Sequence, residues 1–270
     1  MKAKVDRPGM NVVLSFDLDG ETLWLSKGKG NYVGPVILSQ GRYGPLTAVP
    51  RILQILEKYG IHSTFFVPGW IAEKYPAMCA SLLEGGHEIG HHGYLHEWPN
   101  VTTADEEVME FEKGFESLMR VTGLRPKGWR APGWEFSNRT MKLLLDYKFK
   151  YSSNMMDTEK PYEHIVDGRR TGLVELPVSW VLDDASHFMY AHTTSGWPIQ
   201  NAWQVYEIWK DEFDGMYEAG DGETFILTMH PQIIGRHSRL MMLERLICHI
   251  RSRPGVNFCT CDKIASTILR

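Results

Sequence analysis

Short apolar runs alternate with amphipathic segments along the whole chain. The short runs have the length and the β-branched or aromatic content of strands, whereas the longer segments repeat apolar residues with helical spacing. Strands are predicted at residues 12–16, 62–67, 88–90, 127–130, 151–154, 173–178, 224–229 and 256–258. Helices are predicted at residues 50–59, 71–83, 103–123, 137–145, 203–217 and 239–250, with one more at the C-terminus.

Local signals mark the ends of several predicted helices. Gly60 stands where the first of them should stop, and Thr103 with Glu106 has the spacing of a capping box. The least regular stretch, residues 157–172, is predicted to form a loop over one end of the fold. Seven or eight strands that alternate with helices indicate a parallel sheet with helical crossovers. A closed or nearly closed (β/α) barrel fits this pattern better than an open sheet.

Composition limits the range of functions. The chain of 270 residues is 43% hydrophobic and 23% charged, which is typical of a soluble globular enzyme. Neither linkers nor repeats divide it, so one catalytic domain over residues 1–270 is predicted. A net charge of -4 and a pI near 6.3 argue against a nucleic-acid partner. Because it has no run of about 20 apolar residues and no signal peptide, we expect a cytoplasmic protein with no membrane partner.

Carboxylates follow the first predicted strand. Side chains alternate along a strand, so Asp17, Asp19 and Glu21 share one face, while Phe16 and Leu18 share the other. Like charges this close together are costly unless a cation neutralises them, and a divalent metal ion would do so. A solvated acidic turn explains the same pattern, so the strand alone leaves both interpretations open.

Four histidines lie within ten residues around the third predicted strand. His92 and His96 have i, i+4 spacing, which on one helical turn would bring both imidazoles to a single metal ion. His87 and His91 have the same spacing, so spacing alone does not choose between the pairs. One histidine is more often structural than a ligand, but four beside a strand end favour metal binding.

Two further candidates follow later strands. Arg130 ends the strand at 127–130, where a guanidinium can orient a carboxylate or hold a substrate oxygen. His230 follows the strand at 224–229, and Pro231 ends that strand so that His230 projects at the rim, as a general acid would. A structural salt bridge and a buried hydrogen-bonded histidine are the respective alternatives. All candidates lie at C-terminal ends of predicted strands, where (β/α) barrels carry their active sites, and this favours the functional interpretation.

The chain resembles the polysaccharide deacetylase family, carbohydrate esterase family four with its nodulation-type deacetylase domain, from about residue 12 to 265. That family has an aspartate pair on its first strand, a His-x-x-x-His pair, an arginine motif and a late histidine motif. These look like Asp17 and Asp19, His92 and His96, Arg130, and Thr228-Met229-His230. The resemblance implies an α/β fold, namely a distorted seven-stranded (β/α) barrel of the polysaccharide deacetylase type.

The motifs depart from the family pattern at three positions. Leu18 separates the two aspartates, Gly93 replaces the serine or threonine after the first histidine, and Thr228 replaces a leucine in the late motif. These departures resemble a branch that contains peptidoglycan deacetylase-like proteins, cyclic imide hydrolases and ureide-opening allantoinases. Segments 92–97, 175–184 and 230–232 carry this closer likeness.

The resemblance implies a metal site and its ligands. Asp19, His92 and His96 would bind one divalent ion and leave positions open for water and a substrate carbonyl. Zinc is predicted ahead of cobalt, nickel or manganese, all of which suit this ligand set. Whether neighbouring groups also contribute stays open for Glu21, His87 and His91.

The resemblance also implies the groups that handle protons and substrate. Asp17 would be the catalytic base, His230 would protonate the leaving nitrogen, and Arg130 would orient Asp17 or the substrate. Substrate binding is assigned to Trp134, Trp180 and Pro231.

The predicted function is the metal-dependent hydrolysis of a non-peptide C–N bond of the amide or imide type. The expected cytoplasmic location favours a small cyclic imide, ureide or amide over an extracellular polymer, and N-deacetylation of an acetylated sugar or peptidoglycan is the alternative. A non-catalytic carbohydrate- or ligand-binding barrel is a third interpretation. It is disfavoured because a binding module needs no acid and base around a metal.

Two structural features bear on the substrate and on partners. An open groove would favour a polymer, whereas a pocket roofed by residues 157–172 or by a neighbouring subunit would favour a small ring. The aromatic residues of the segment 203–217 fit either an interface of a homo-oligomer or the core, and these are Trp203, Tyr206 and Trp209.

Overall fold

The computed structural model describes residues 9–26, 33–190, 199–220 and 222–269. A curled sheet occupies the centre of the fold and has nine strands within these ranges. The strands are β1 Asn11–Asp17, β2 Thr64–Val67, β3 Glu88–His91, β4 Gly128–Trp129, β5 Tyr151–Ser152, β6 Tyr162–Val166, β7 Arg169–Glu175, β8 Thr224–Met229 and β9 Asn257–Phe258.

Helices connect the strands and cover the outside of the sheet. They are α1 Thr22–Leu25, α2 Pro35–Tyr43, α3 Val49–Tyr59, α4 Gly69–Lys74, α5 Pro76–Glu84, α6 Ala104–Thr122, α7 Thr140–Asp146, α8 Asp184–Phe188, α9 Ala202–Ala219, α10 Pro231–Ile234, α11 His237–Arg251 and α12 Cys261–Ile268. A π-helical turn, Gly44–Ala48, joins α2 to α3. Among the helices described, none combines the length and the apolar character that a bilayer crossing needs.

Seven parallel strands form the wall of the barrel, in the order β7-β5-β4-β3-β2-β1-β8. Strand β6 adds an antiparallel strand outside β7, and β9 pairs with the first residues of β1. A bridge between Asp183 and Thr228 brings the segment after β7 beside β8, so that the curled sheet approaches closure. The predicted α/β class and the seven-stranded (β/α) barrel are therefore confirmed.

Strand β1 changes character along its inner face. Its outward side chains, such as Leu14 and Phe16, pack with residues of the surrounding helices. On the inner face, Val13 packs among side chains of other strands. The next inward residues, Ser15 and Asp17, are polar and still buried. The carboxyl end of the strand therefore places polar groups inside the barrel, at the end where such folds carry their sites.

Glycines allow three segments to meet beside the end of β3. A Cβ on Gly69 of α4 would lie 2.8 Å from Cα of Gly114 on α6. A Cβ on Gly114 would lie 2.6 Å from Cε1 of His91 and equally close to the carbonyl carbon of Gly93. Real Cβ contacts do not occur at such distances, so α6 can support the loop after β3 only because its contact surface carries no side chain.

Replacing Gly114 by alanine is expected to lower the free energy of unfolding by about 1–3 kcal/mol, because the methyl group must displace a packed loop. Urea unfolding measures the change. Gly215→Ala in α9 is the matched control, since its Cβ would meet nothing within 4 Å. The control should gain about 0.5–1 kcal/mol, because alanine is the better helix former. Equal stability of Gly114→Ala and the wild type would contradict the close packing at α6.

Most predicted elements are present with small changes of bounds. The predicted and observed limits of β8 coincide. The predicted capping box opens α6, where Thr103 Oγ1 accepts from Glu106 N and a Glu106 oxygen accepts from Thr103 N. Gly60 ends α3 in the left-handed conformation, with φ of 62°. These local signals predict structure well because each satisfies the free backbone groups at a helix end.

Two predicted helices need correction, and four observed ones were not predicted. The helix predicted at 71–83 is in fact α4 and α5, because Pro76 has no N–H to continue α4 and instead starts α5. The helix predicted from residue 137 begins later, as α7 with Arg139 as its N-cap. The Ser137 hydroxyl accepts from Arg139 N just before the helix. The short helices α1, α2, α8 and α10 were not predicted.

Residues 157–172 were predicted to be an irregular loop, and this prediction is wrong. They include β6 and the start of β7, which pair as an antiparallel hairpin. The two residues between the strands, Asp167 and Gly168, have φ of 50° and 73°. Positive φ at both positions is typical of the tight turn that Asp-Gly favours. The segment therefore extends one edge of the sheet.

The aromatic residues of α9 divide between core and surface. Trp209 is fully buried, and its indole N–H donates to the Val181 carbonyl at 2.9 Å. Trp203 is 38% exposed and lies under the guanidinium of Arg245. Core packing therefore accounts for Trp209, whereas Trp203 remains available at the surface.

Candidate active site

One carboxylate and two imidazoles converge at the carboxyl end of β1. His92 Nε2 lies 3.3 Å and His96 Nε2 lies 3.5 Å from the same oxygen, Asp19 Oδ1. All three side chains are buried. Asp19 Oδ1 has no hydrogen-bond partner, which is costly for a buried charged oxygen. An oxygen and two imidazole nitrogens are common ligands of a catalytic divalent metal, so the three residues fit such an ion.

A shaped loop, and not a helical turn, brings the two histidines together. Strand β3 ends at His91, and the chain then turns through Gly93 and His96, whose φ values are 74° and 62°. A side-chain oxygen of Glu110 accepts from the backbone N–H of Leu95 at 2.7 Å. The predicted pair is thus adjacent in space, but the helical reason for it was wrong. The hydrogen bond between Leu95 and Glu110 helps to keep His96 in its strained backbone conformation.

The second ring nitrogen of His92 determines how the ring is oriented. His92 Nδ1 donates to the backbone carbonyl of Arg130 at 2.8 Å. This bond directs the other ring nitrogen, Nε2, toward Asp19. Burial by itself would raise the pKa of Asp19, but His96, His92 and His230 hold that pKa far below its usual range. The carboxylate is therefore charged and available to a cation.

Arg130 fixes the other aspartate of β1. Its NH1 donates to Asp17 Oδ1 at 2.8 Å and to Ser15 Oγ at 3.0 Å. Its guanidinium also lies 4.2 Å above the ring of Phe66. Arg130 is fully buried, so it has no alternative solvent-facing position. The ion pair with Arg130 fixes the position of Asp17 Oδ1, and the Asp17 carboxylate still lines the cavity.

Asp184 holds both the ring and the backbone of His230. Its Nδ1 donates to Asp184 Oδ1 at 2.7 Å, and its backbone N–H donates to both oxygens of the same carboxylate. His230 Nε2 lies 3.6 Å from Asp19 Oδ2. Burial opposes a charge on the ring, but Asp183 and Asp184 outweigh it and raise the pKa of His230 well above its ordinary value. A protonated His230 is suited to give a proton from Nε2.

Asp184 was not predicted as a site residue. It lies in the segment 175–184, one of the three that carry the closer likeness to a branch of the family. Its neighbour Asp183 lines the cavity, and burial beside Asp184 raises the pKa of Asp183 to about 7 although His230 lowers it. The available signal was the pair of adjacent aspartates in a segment between two barrel strands, because carboxylates that become buried need specific partners.

The site opens into a cavity of about 680 Å³. Trp134 and Trp180, the two tryptophans assigned to substrate binding, both line it, and their ring centroids lie 4.5 Å apart. A third indole, Trp98, was not predicted and also lines it. Pro231 is buried as the first residue of α10 and is not among the described residues on the wall. The rest of the apolar lining is Leu23, Gly133, Ala185 and Met189.

The predicted roof is absent from the described part of this wall. Residues 157–172 contribute none of the described lining residues, because the hairpin lies at the edge of the sheet. Among the described residues, this segment therefore does not provide the roof that would have favoured a small ring.

The three residues whose role was open have other contacts. His91 Nε2 donates to the carbonyl of Phe111, and burial lowers the pKa of His91 to about 3. His87 Nδ1 accepts from Ser63 N, and burial, together with the charge of a nearby histidine, lowers the pKa of His87 to about 4. Glu21 Oε1 accepts from Lys74 and from Tyr75. None of the three is among the described residues that line the cavity.

Comparison with known proteins identifies the family. Residues 42–152 match the family described as polysaccharide deacetylase. A peptidoglycan deacetylase of Helicobacter pylori is 32% identical over an alignment 285 positions long. The alignment covers 96% of this chain and 96% of that protein. The chain belongs to the polysaccharide deacetylase family. Members of this family are hydrolases that act on C–N bonds.

Solved structures of the polysaccharide deacetylase fold agree with the architecture. A putative polysaccharide deacetylase from Mycobacterium smegmatis has a TM-score of 0.90 at 36% identity, over 98% of this chain and 91% of that one. Puue allantoinase has a TM-score of 0.82 at 22% identity, over 95% of this chain and 89% of that one. The second likeness is one of fold. The predicted family and barrel type are thus both confirmed.

Proposed function

We propose that the protein is a metal-dependent hydrolase of a non-peptide C–N bond, with Asp19, His92 and His96 as the metal ligands. The observation that carries this proposal is the arrangement around the three ligands. An Arg130-bound carboxylate, Asp17, and a carboxylate-bound imidazole, His230, reach the same cavity. When bound, a divalent ion would polarise the scissile carbonyl and lower the pKa of a water molecule.

Asp17 would act as the base. Arg130 occupies its Oδ1, so the second oxygen is the one that can take a proton from an attacking water molecule. A positioned base of this kind contributes roughly 10²- to 10⁴-fold to a rate. Asp17 is the last residue of β1, Asp19 follows two residues later, and both line the cavity, which places the base beside the ligand set.

His230 would act as the acid on the leaving nitrogen. The bond from Nδ1 to Asp184 determines that the transferable proton is the one on Nε2. That atom faces Asp19, so a substrate bound beside the ligands would place its scissile C–N bond near the proton. Protonation matters because an amine anion is a poor leaving group.

For the substrate, we propose a small cyclic imide, ureide or amide. The cavity volume of about 680 Å³ lies within the range of small-molecule sites, roughly 300–1,000 Å³. Its wall combines three indoles with buried charged groups at its base, which suits a planar ring that stacks on an aromatic face while its polar edge meets the site.

The second candidate is N-deacetylation of an acetylated sugar or of peptidoglycan. It is favoured by the likeness to the Helicobacter pylori protein, which is named a peptidoglycan deacetylase. The same indoles could stack on a pyranose ring, with the acetamido group pointing toward Asp17 and His230. Both candidates use the same metal ligands, the same base and the same acid. They differ only in the part of the substrate that the cavity wall binds.

Metal content and a substrate panel test the proposal together. We expect elemental analysis to find about one divalent ion per chain, zinc before cobalt, nickel or manganese. Turnover is measured on succinimide-type rings, linear ureides and N-acetylglucosamine oligomers, before and after chelation. Ring hydrolysis that chelation removes and metal restores supports the first candidate, whereas activity on the oligomers alone supports the second. A protein without metal and without turnover on any substrate would leave the non-catalytic binding barrel as the better interpretation.

A further inference from the structure

Glu175, at the end of β7, is a fully buried carboxylate that the proposed reaction does not use. Its Oε1 accepts from the backbone N–H groups of Asn154 at 2.6 Å and Met155 at 3.0 Å. Its Oε2 accepts from Ser152 Oγ at 2.6 Å and lies 2.8 Å from His164 Nε2. All four partners are protein groups, so the carboxylate is satisfied within the fold.

These bonds anchor both chain neighbours of Ser153, and Ser153 in turn holds Arg130. Arg130 Nε donates to the Ser153 carbonyl at 3.3 Å, and its NH2 donates to Ser153 Oγ at 2.8 Å. The Asn154 side chain accepts from Ala131 N at 2.7 Å, which joins the same loop to the residue after Arg130. Arg130 therefore contacts the loop after β5 on one side and β1 on the other.

We infer that Glu175 is a positioning residue for the base, acting through Ser153 and Arg130 on Asp17. The inference rests on the proposed function, in which Asp17 is that base. Arg130 can present NH1 to Asp17 in a fixed direction only while its Nε and NH2 remain bonded to Ser153. A guanidinium is planar, so two fixed nitrogens determine the place of the third. Glu175 supplies the acceptor oxygens that shape the loop carrying Ser153.

The hairpin at the sheet edge contributes to this support. His164 lies on β6, and its Nε2 contacts Glu175 Oε2 at 2.8 Å. The segment that was predicted to be a loop over one end of the fold thus has a different relation to the site, because it completes the surroundings of Glu175. A buried carboxylate needs such partners, since an unpaired one would be strongly destabilising.

A second carboxylate in the same sheet serves as the matched control. Glu88 begins β3 and accepts from Thr64 Oγ1 at 2.8 Å, from Asp262 N at 3.0 Å and from Tyr151 OH at 2.8 Å. It has a comparable set of hydrogen bonds, but it lies at the amino end of the strands, away from Arg130. A purely structural role for Glu175 predicts that the two carboxylates behave alike when removed.

The test compares Glu175→Ala, Glu175→Gln and Glu88→Ala with the wild type. Metal content, thermal stability, kcat and KM are measured on the best substrate of the wild type, and a crystal structure is determined for Glu175→Ala. We expect Glu175→Ala to keep its metal and its KM while kcat falls roughly 10- to 100-fold, as for a base displaced by about 1 Å. Glu175→Gln keeps an acceptor for both backbone N–H groups and should recover most of the loss. Glu88→Ala should lose stability and keep kcat.

Other outcomes overturn the inference. A kcat that is equal in folded Glu175→Ala and wild type would do so, and so would a parallel fall in Glu88→Ala. If Glu175→Ala does not fold, Ser153→Ala removes one Arg130 contact directly and must lower kcat with unchanged KM. If the wild type hydrolyses nothing, the proposed function fails, and the crystal structure still decides: an Arg130 that keeps its contact with Asp17 in a variant without the Glu175 carboxylate contradicts positioning.

Discussion

The His92→Ala variant is expected to lose its metal ion and its turnover while it remains folded. Loss of a group that merely orients a ligand costs about 10- to 100-fold in metal affinity or activity, so loss of a ligand should cost at least about 100-fold in both. His92 contributes one of the two nitrogens near Asp19 Oδ1, and its removal leaves a carboxylate and a single imidazole. Elemental analysis, thermal unfolding and hydrolysis assays on the same preparation measure the three properties.

His87→Ala is the control for that experiment. His87 is a buried histidine in the same cluster of the sequence, but its Nδ1 accepts from Ser63 N near the amino end of β3. Its replacement should lower stability through the lost packing and leave metal content unchanged. If His92→Ala kept a full complement of metal, or if His87→Ala lost it, the ligand assignment would be wrong.

The Asp17→Asn variant is expected to keep its metal and to lose about 10²- to 10⁴-fold in kcat, because an amide cannot accept the proton of the attacking water. The change also leaves Arg130 without its buried counter-charge, which costs on the order of 3–5 kcal/mol of stability when one partner of a buried pair is removed. Activity must therefore be expressed per folded molecule, with unfolding curves measured in parallel.

A carboxylate at the other end of the barrel provides the comparison for Asp17→Asn. Asp262 pairs with Lys127 at 2.7 Å and also with Lys150, and it is far more exposed than Asp17. Asp262→Asn should reduce stability slightly and leave kcat unchanged. A wild-type kcat in Asp17→Asn would assign the base to another residue, whereas simultaneous loss of metal would assign Asp17 to the ligand set.

Periodicity predicted most of the barrel because buried parallel strands are short apolar runs between amphipathic helices. The same pattern did not predict the hairpin that β6 and β7 form at the edge of the sheet. Strand β6 is only partly buried and then exposed, so it lacks the apolar alternation of an inner strand. The Asp167-Gly168 pair was its available signal, because few other dipeptides accept positive φ at both positions. Composition suggested a loop where turn chemistry indicated a hairpin.

The candidate site was predictable where one strand or one motif carries it. Asp17 and Asp19 follow from alternation along β1, and the histidine pair follows from the resemblance. Asp184 and Trp98 did not follow, because their relevance depends on which loops meet at the barrel rim. Glu175 shows the limit most clearly, since its part in the site depends on hydrogen bonds to a loop about 20 residues earlier in the chain.

The pairing of β1 determines how late in synthesis the sheet can be completed around it. This first strand forms its longest ladder with β8, from Asn11 opposite Thr224 to Phe16 opposite Met229, and it also pairs with β9. Roughly 200 residues separate the partners, a stretch that a ribosome needs about 10–40 s to synthesise at 5–20 residues per second. Asp17 and Asp19 are therefore synthesised well before His230, and the site can form only after β8 has left the ribosome.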